Sequence, residues 1–108
     1  MWRDLLLATT KEIQSIVQQI KEVTKIDIVN STKNRKTRYR LGITVQDQED
    51  IIRNIEVSDY ISGPEKDHDL TRIGDVWIFK RYEFGEVFYI KIKLHPIAKA
   101  ISCHIDNM

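Results

Sequence analysis

The sequence predicts an α+β domain whose N-terminal helices pack on one face of a small antiparallel β-sheet. Two observations carry this expectation. Up to about residue 55, apolar residues recur at helical spacing, and from Asp75 onward they alternate with a period of two. Helices therefore come first and consecutive strands last, the segregated order of an α+β domain. A chain of 108 residues with 42% hydrophobic content can bury one core without disulfides and is not a disordered composition. No repeat, low-complexity tract or Pro/Gly/Ser linker divides it, so a single domain over residues 1–108 is expected.

Each element has a local cause. Thr9 and Glu12 have capping-box spacing, and Ile13, Ile16, Val17, Ile20 and Val23 then share one face, which predicts a helix over about residues 10–24. Ile26, Ile28 and Val29 suggest a short strand. The basic stretch STKNRKTRYR follows as a loop or a brief helix ending near Gly42. Thr44 is a good N-cap, with Asp47 three positions on, for a second helix to about Asn54 that buries Val45, Ile51, Ile52 and Ile55. SGPEKDHD, residues 62–69, reads as a rigid polar turn in which Gly63-Pro64 fixes a bend before the sheet. Three strands then follow, VWIFKRY, EVFYIKIKL and AKAISCHI, separated by turn residues such as Gly85 and Pro96. In the middle strand Phe88, Ile90, Ile92 and Leu94 alternate with Tyr89, Lys91 and Lys93, giving one core face and one polar face.

Composition removes several function classes. The single cysteine, Cys103, cannot form an intramolecular disulfide and reads as a small buried residue in a reducing, cytoplasmic setting. The first residues, MWRDLLLATTKEIQ, suit neither a signal peptide nor a membrane span. With four glycines, no phosphate loop or dinucleotide fingerprint is present. Asp67, His68 and Asp69 are metal-ligand types, but adjacent turn residues point in different directions and no second cluster supplies further ligands, so no metal is expected.

The net charge of +1 conceals an uneven distribution. Residues 1–45 carry nine Lys/Arg against four Asp/Glu, whereas residues 46–70 carry two against eight. Lys33, Arg35, Lys36, Arg38 and Arg40 fall within eight positions, a stretch that can neutralise nucleic-acid phosphates or form a solvated face. On the polar sheet face, Tyr89, Lys91 and Lys93 project together, and Ser102 and His104 reach the same face if the last strand pairs in hairpin register. Lys80 and Arg81 add positive charge nearby. A His able to exchange protons near neutral pH, a Tyr hydroxyl and several cations suit work on a phosphodiester, although outward Lys and Tyr are also ordinary on a half-exposed strand.

DYISGPEKDHD, DVWIF, EVFYIKIKL and ISCHID, in that order over about residues 26–106, resemble the MqsR-like toxins of prokaryotic type II toxin-antitoxin systems. That family shows a Gly-Pro-Glu-x-Asp-x-Asp turn, Val-Trp-x-Phe, a Tyr-Ile-Lys-hydrophobic-Lys strand and a closing Ser-Phe-His. The resemblance implies a RelE-like α+β fold and a cofactor-free, metal-independent endoribonuclease acting on messenger RNA. It also implies inhibition by a cognate antitoxin, for which a neighbouring helix-turn-helix DNA-binding protein is the expected form. Tyr89 and Lys91 fall on its Tyr-x-Lys positions, and His104 falls where the best-known members carry a functional lysine and many relatives a His. Two positions depart: Ser62 stands where a lysine is usual, with Lys66 a few residues later, and Ile78 stands where a glutamine is usual.

The expected catalytic set is therefore His104, Tyr89, Lys91 and Lys80. Lys66, Arg81, Lys93, Arg35, Lys36 and Arg38 are the expected RNA contacts, and Tyr60, Tyr82 or Tyr89 would stack bases of a single-stranded RNA. The alternative is a non-catalytic module that binds nucleic acid or protein through residues 33–40.

Overall fold

The structure, a computed structural model, describes residues 7–66 and 75–108, with Lys66 described for its backbone only. Among these residues the chain forms helices α1 (Thr10–Glu22), α2 (Thr32–Leu41) and α3 (Val45–Arg53). Its strands are β1 (Asp27–Ile28), β2 (Tyr60–Lys66), β3 (Asp75–Glu83), β4 (Glu86–Lys93) and β5 (Lys99–Ile105). This is the expected α+β class. No helix among the described residues is long and apolar enough to cross a membrane.

The helix ends follow the predicted chemistry. The Thr9 and Thr44 hydroxyls each accept from the backbone N–H three residues on, at 3.1 and 3.0 Å, and Glu12 and Asp47 return bonds to the cap N–H groups. The basic stretch is a full helix, stopped by Gly42 in the left-handed conformation at φ 66°. Little of α2 is apolar; its buried residues are Asn34 and Thr37.

The sheet differs from the expectation in two ways. Its order is β1-β5-β4-β3-β2, with β2 through β5 antiparallel and β1 parallel to β5, so the sheet is mixed rather than wholly antiparallel. The stretch beginning at Ser62 is also not simply a turn: Ser62 to Lys66, including Gly63 and Pro64, belong to edge strand β2. Register shifts between Tyr60 and Ser62 and between Ser62 and Glu65 accommodate this. Gly63 and Pro64 fall in the second of these shifts, between the residues paired with β3, so the missing N–H of Pro64 lies outside the ladder, while Leu7 bridges Gly63 in parallel.

All the helices contribute to one core layer against one sheet face. Ile13, Ile16, Val17 and Ile20 of α1 and Ile51 and Ile52 of α3 meet Phe79, Phe88, Ile90, Ile92, Ala100 and Cys103 from the strands. Each fully buried Ile or Phe stabilises the fold by about 1.5–3 kcal/mol relative to exposure. Tyr60 belongs to this side, edge-on to Trp77 and Phe79, with its hydroxyl donating to the Gly63 carbonyl.

The helices also complete the edge of β5. Beyond Ala100, β1 no longer pairs with it, and helix side chains take over. Asn34 Oδ1 accepts from Cys103 N at 2.9 Å, Gln48 Nε2 donates to the Cys103 carbonyl at 2.8 Å, and Thr37 Oγ1 accepts from Ile105 N at 3.0 Å. Buried Asn34, Thr37 and Gln48 thus satisfy backbone groups that a further strand would otherwise pair. Their bonds to Cys103 and Ile105 fix the backbone on both sides of His104.

Candidate functional site

The β4–β5 register sets the site. Tyr89 lies opposite His104 and Lys91 opposite Ser102, as hairpin pairing predicts. Between Lys91 and Ile92 the register shifts, so Ile92 meets Ala100. This irregularity lets Ser102 and His104 face away from the core while Ala100 still faces into it. From β3, Lys80 lies opposite Tyr89 and joins the same face.

Tyr89, Lys91, Ser102 and His104 line a cleft of about 740 Å³, together with Ser31, Thr32 and Lys33 at the start of α2 and Asp106 after β5. The α2 end adds the positive pole of a ten-residue helix whose first turn carries no acid. His104 is 7% exposed and stacks on Tyr89, with ring centroids 5.5 Å apart and planes inclined by 29°. Its Nδ1 lies 2.9 Å from the Ile105 carbonyl oxygen. A carbonyl only accepts, so Nδ1 is the donor in this bond, and Nε2 is the ring nitrogen left to exchange a proton. Burial pushes the Tyr89 phenol above its ordinary pKa; the Glu65 and Asp106 carboxylates push it the same way and Lys80 opposes them. Tyr89 is therefore a neutral hydrogen-bonding group, not a phenolate.

The expected cations meet different fates. Lys91 is half-buried in the cleft. Lys80 sits on the correct face, but its ammonium pairs with Asp106 at 2.9 Å. Arg81 does not join the site: it lies opposite core residue Phe88 and so faces the helices. There its guanidinium pairs with Asp59 at 3.0 Å and Glu83 at 2.8 Å. Burial alone would lower its pKa, but those two carboxylates hold it above the ordinary value. Lys93 is only 4% exposed. Val76 and Ile78 on the same face are buried too, so the open part of that face is the Tyr89–His104 end.

Of the basic helix, Lys36 is exposed, and Arg35 is exposed with one bond to the Asn30 carbonyl at 2.9 Å. Arg38 instead turns inward, donating to Gln48 Oε1 at 2.8 Å and Asn30 Oδ1 at 3.2 Å. Its charge helps to anchor α2. Of the expected stacking tyrosines, Tyr60 is held against the core, whereas Tyr82 is 70% exposed on the sheet face. The Lys66 side chain and Asp67, His68 and Asp69 lie outside the described residues. Among the described residues no group of three or more His, Cys, Asp or Glu side chains is placed to hold a metal ion.

Cys103 is fully buried, and burial pushes its thiol up to about 12, opposed by Arg38. It is therefore not a thiolate nucleophile. Sequence reading missed Asp106, Ser31 and Thr32 at the cleft and the Asn34–Thr37–Gln48 support. The periodicity of α2 gave one signal for that support: Asn34, Thr37 and Leu41 recur at i, i+3 and i+7, a helical stripe whose polar members mask it.

Fold and site together define a small α+β domain with a His–Tyr–Lys cleft on the sheet face remote from its core. Comparison with known protein families, curated proteins and solved structures finds no match to this chain.

Proposed function

We propose that the protein is a metal-independent endoribonuclease that cleaves single-stranded messenger RNA, the toxin of a type II toxin-antitoxin pair of the MqsR-like, RelE-like kind. The observation that carries the reading is that His104, with Nδ1 engaged by the Ile105 carbonyl, Tyr89, held neutral, and Lys91 line one cleft. The motif order of the second half supports the family assignment. The Ser62 and Ile78 departures put no further cation or amide at the family's remaining positions.

The chemistry follows from these groups. His104 Nε2 takes the proton of the RNA 2′-hydroxyl as O2′ bonds to phosphorus. Lys91 stabilises the negative charge that builds on the phosphorane oxygens, and Tyr89 donates a hydrogen bond to one of them. The P–O5′ bond then breaks and the imidazolium returns a proton to the departing 5′ oxygen, leaving a 2′,3′-cyclic phosphate and a 5′-hydroxyl. Lys80 contributes to the field around the phosphate, reduced by its pairing with Asp106.

The test is to incubate the protein with single-stranded RNA in excess EDTA and analyse the new ends. Cyclic phosphate termini, lost with His104→Ala, are the expected result. Activity that disappears on adding EDTA would overturn the metal-free mechanism and turn attention to Asp67–Asp69. For the cellular role, inducing the gene should arrest growth and a cognate antitoxin should relieve it; growth unaffected by induction would remove the toxin assignment.

A further inference from the structure

The exposed side of α2 continues the cleft. Lys33, in its first turn, lines the cleft with His104 and Lys91. Farther along the same helix, Arg35, Lys36, Tyr39 and Arg40 line a second, shallow groove of about 520 Å³. A rise of about 1.5 Å per residue puts Tyr39 roughly 9 Å along the axis from Lys33. Between Asp27 and Asp47 the chain has five Lys/Arg and no Asp or Glu, so no carboxylate of this segment offsets the charge. Arg38 is turned inward, which leaves Lys33, Arg35, Lys36 and Arg40 as the outward cations.

Tyr39 is 93% exposed, more than any other large hydrophobic side chain among the described residues. A ring held in water on a well-capped helix contributes nothing to the core. Flanked by cations, it has the composition of a single-strand platform, in which charge tracks the backbone and an aromatic face stacks a base.

We propose that this side of α2 is a track for the single-stranded RNA that flanks the scissile phosphate. Lys33, Lys36 and Arg40 hold successive backbone phosphates, and Tyr39 stacks a base beside Arg35. The path of the strand rests on the nuclease reading of the cleft, whereas the affinity of the track rests on α2 alone. An acidic protein segment would also satisfy the cations; the continuity of positive charge into the cleft holding His104 favours RNA.

Uncleavable 2′-O-methyl oligonucleotides test this, one short enough to fill the cleft alone and one long enough to reach Tyr39. Binding is followed by fluorescence anisotropy between about 50 and 200 mM salt, a range over which phosphate binding is strongly weakened. The long oligonucleotide should bind more tightly than the short one. Tyr39→Ala should weaken the long one by about fivefold or more. Lys36→Glu combined with Arg40→Glu should remove its advantage and flatten the slope of log affinity against log salt by about 1.4 or more, at roughly 0.7 for each phosphate no longer neutralised. Circular dichroism checks that these surface variants keep the wild-type fold.

Equal affinity of the two oligonucleotides for the wild type would overturn the proposal. So would variants that keep the long-oligonucleotide advantage, or that lose an acidic protein partner while binding RNA normally. The oligonucleotides cannot be cut, so the two readings fail separately. Track-dependent binding by a protein that cleaves no RNA would sink the nuclease and leave the track. Normal cleavage with unaltered binding in the variants would do the reverse.

Discussion

Tyr89 and His104 face each other across the β4–β5 ladder with their rings stacked at 5.5 Å, and the His ring is fixed from behind by the Ile105 carbonyl. The stack and the carbonyl bond orient the imidazole with Nδ1 as the donor to Ile105 and Nε2 as the nitrogen left to exchange a proton. Ring and hydroxyl can therefore be separated experimentally. Tyr89→Phe keeps the stack and removes the hydroxyl. It should lower RNA cleavage by about 10²-fold, the scale of one lost donor to a developing oxyanion, with little change in melting temperature. His104→Gln should reduce cleavage by about 10²–10⁴-fold. Gel-based rates on a short RNA check both; full activity in either variant would exclude that group from the chemistry.

The Tyr89 phenol should titrate above its ordinary value of 10.0, because burial and then Glu65 favour the neutral form. Absorbance titration of phenolate, with Tyr89→Phe as the difference reference, measures it directly. Glu65→Gln should move the value down but leave it raised, because burial is the larger cause. The sign for stability follows. The native state holds this proton more tightly than the unfolded chain, so its contribution is complete below pH 10.0 and is lost as pH rises through the raised native pKa.

Removing the Asp106 carboxylate should free Lys80. Asp106→Asn breaks the 2.9 Å pair and leaves an uncompensated ammonium beside Tyr89. RNA binding should tighten severalfold at low salt, and its salt slope should steepen by about 0.7 for one more phosphate neutralised. Anisotropy titrations at several salt concentrations give both quantities. An unchanged slope would mean that Lys80 does not reach a phosphate.

Gln48 is fully buried and ties α2 to β5. Gln48→Leu strands the carbonyls of Asn34 and Cys103 and one bond from Arg38. A loss of about 1–3 kcal/mol in urea denaturation is expected, the penalty of unsatisfied buried groups. Cys103 reports the same event: its thiol, pushed up to about 12 by burial, should resist alkylation in the native protein. In the variant, labelling should accelerate by about tenfold for each 1.4 kcal/mol of stability removed.

Gly63 sits at φ +115°, and a Cβ there would lie 2.7 Å from the Val76 carbonyl oxygen and 3.1 Å from Trp77 Cα. Both obstacles are backbone of the neighbouring strand, which cannot rotate aside. Gly63→Ala should destabilise the protein by at least about 1–3 kcal/mol, read as a lower urea midpoint. A wild-type midpoint would show that β2 can slide away from β3.

The parts of the fold legible in the sequence share one property: each signal is local. Thr9 with Glu12 and Thr44 with Asp47 announce their helices within four residues, and Phe88, Ile90 and Ile92 announce a core-facing strand by alternation. The same alternation put Tyr89 and Lys91 on the opposite face and, given hairpin register, His104 with them. β2 escaped because Gly63 and Pro64 are turn residues in isolation, and only the irregular pairing with β3 shows that an edge strand tolerates them. β1 likewise owes its parallel pairing to β5, far along the chain.

By itself, then, the sequence determined the helices α1 and α3, the three long strands and the two faces of β4, because periodicity and capping depend on neighbours along the chain. Val45, expected in the core, is instead 50% exposed. Tertiary structure alone decided which cations are available. Arg81 faces Asp59, Lys80 meets Asp106, Arg38 turns to Gln48 and Lys93 is buried, whereas Lys91 lines the cleft and Lys36 stays exposed. Ion pairing and burial are set by distances between residues remote in sequence, and a pattern of charges along the chain carries no record of those distances.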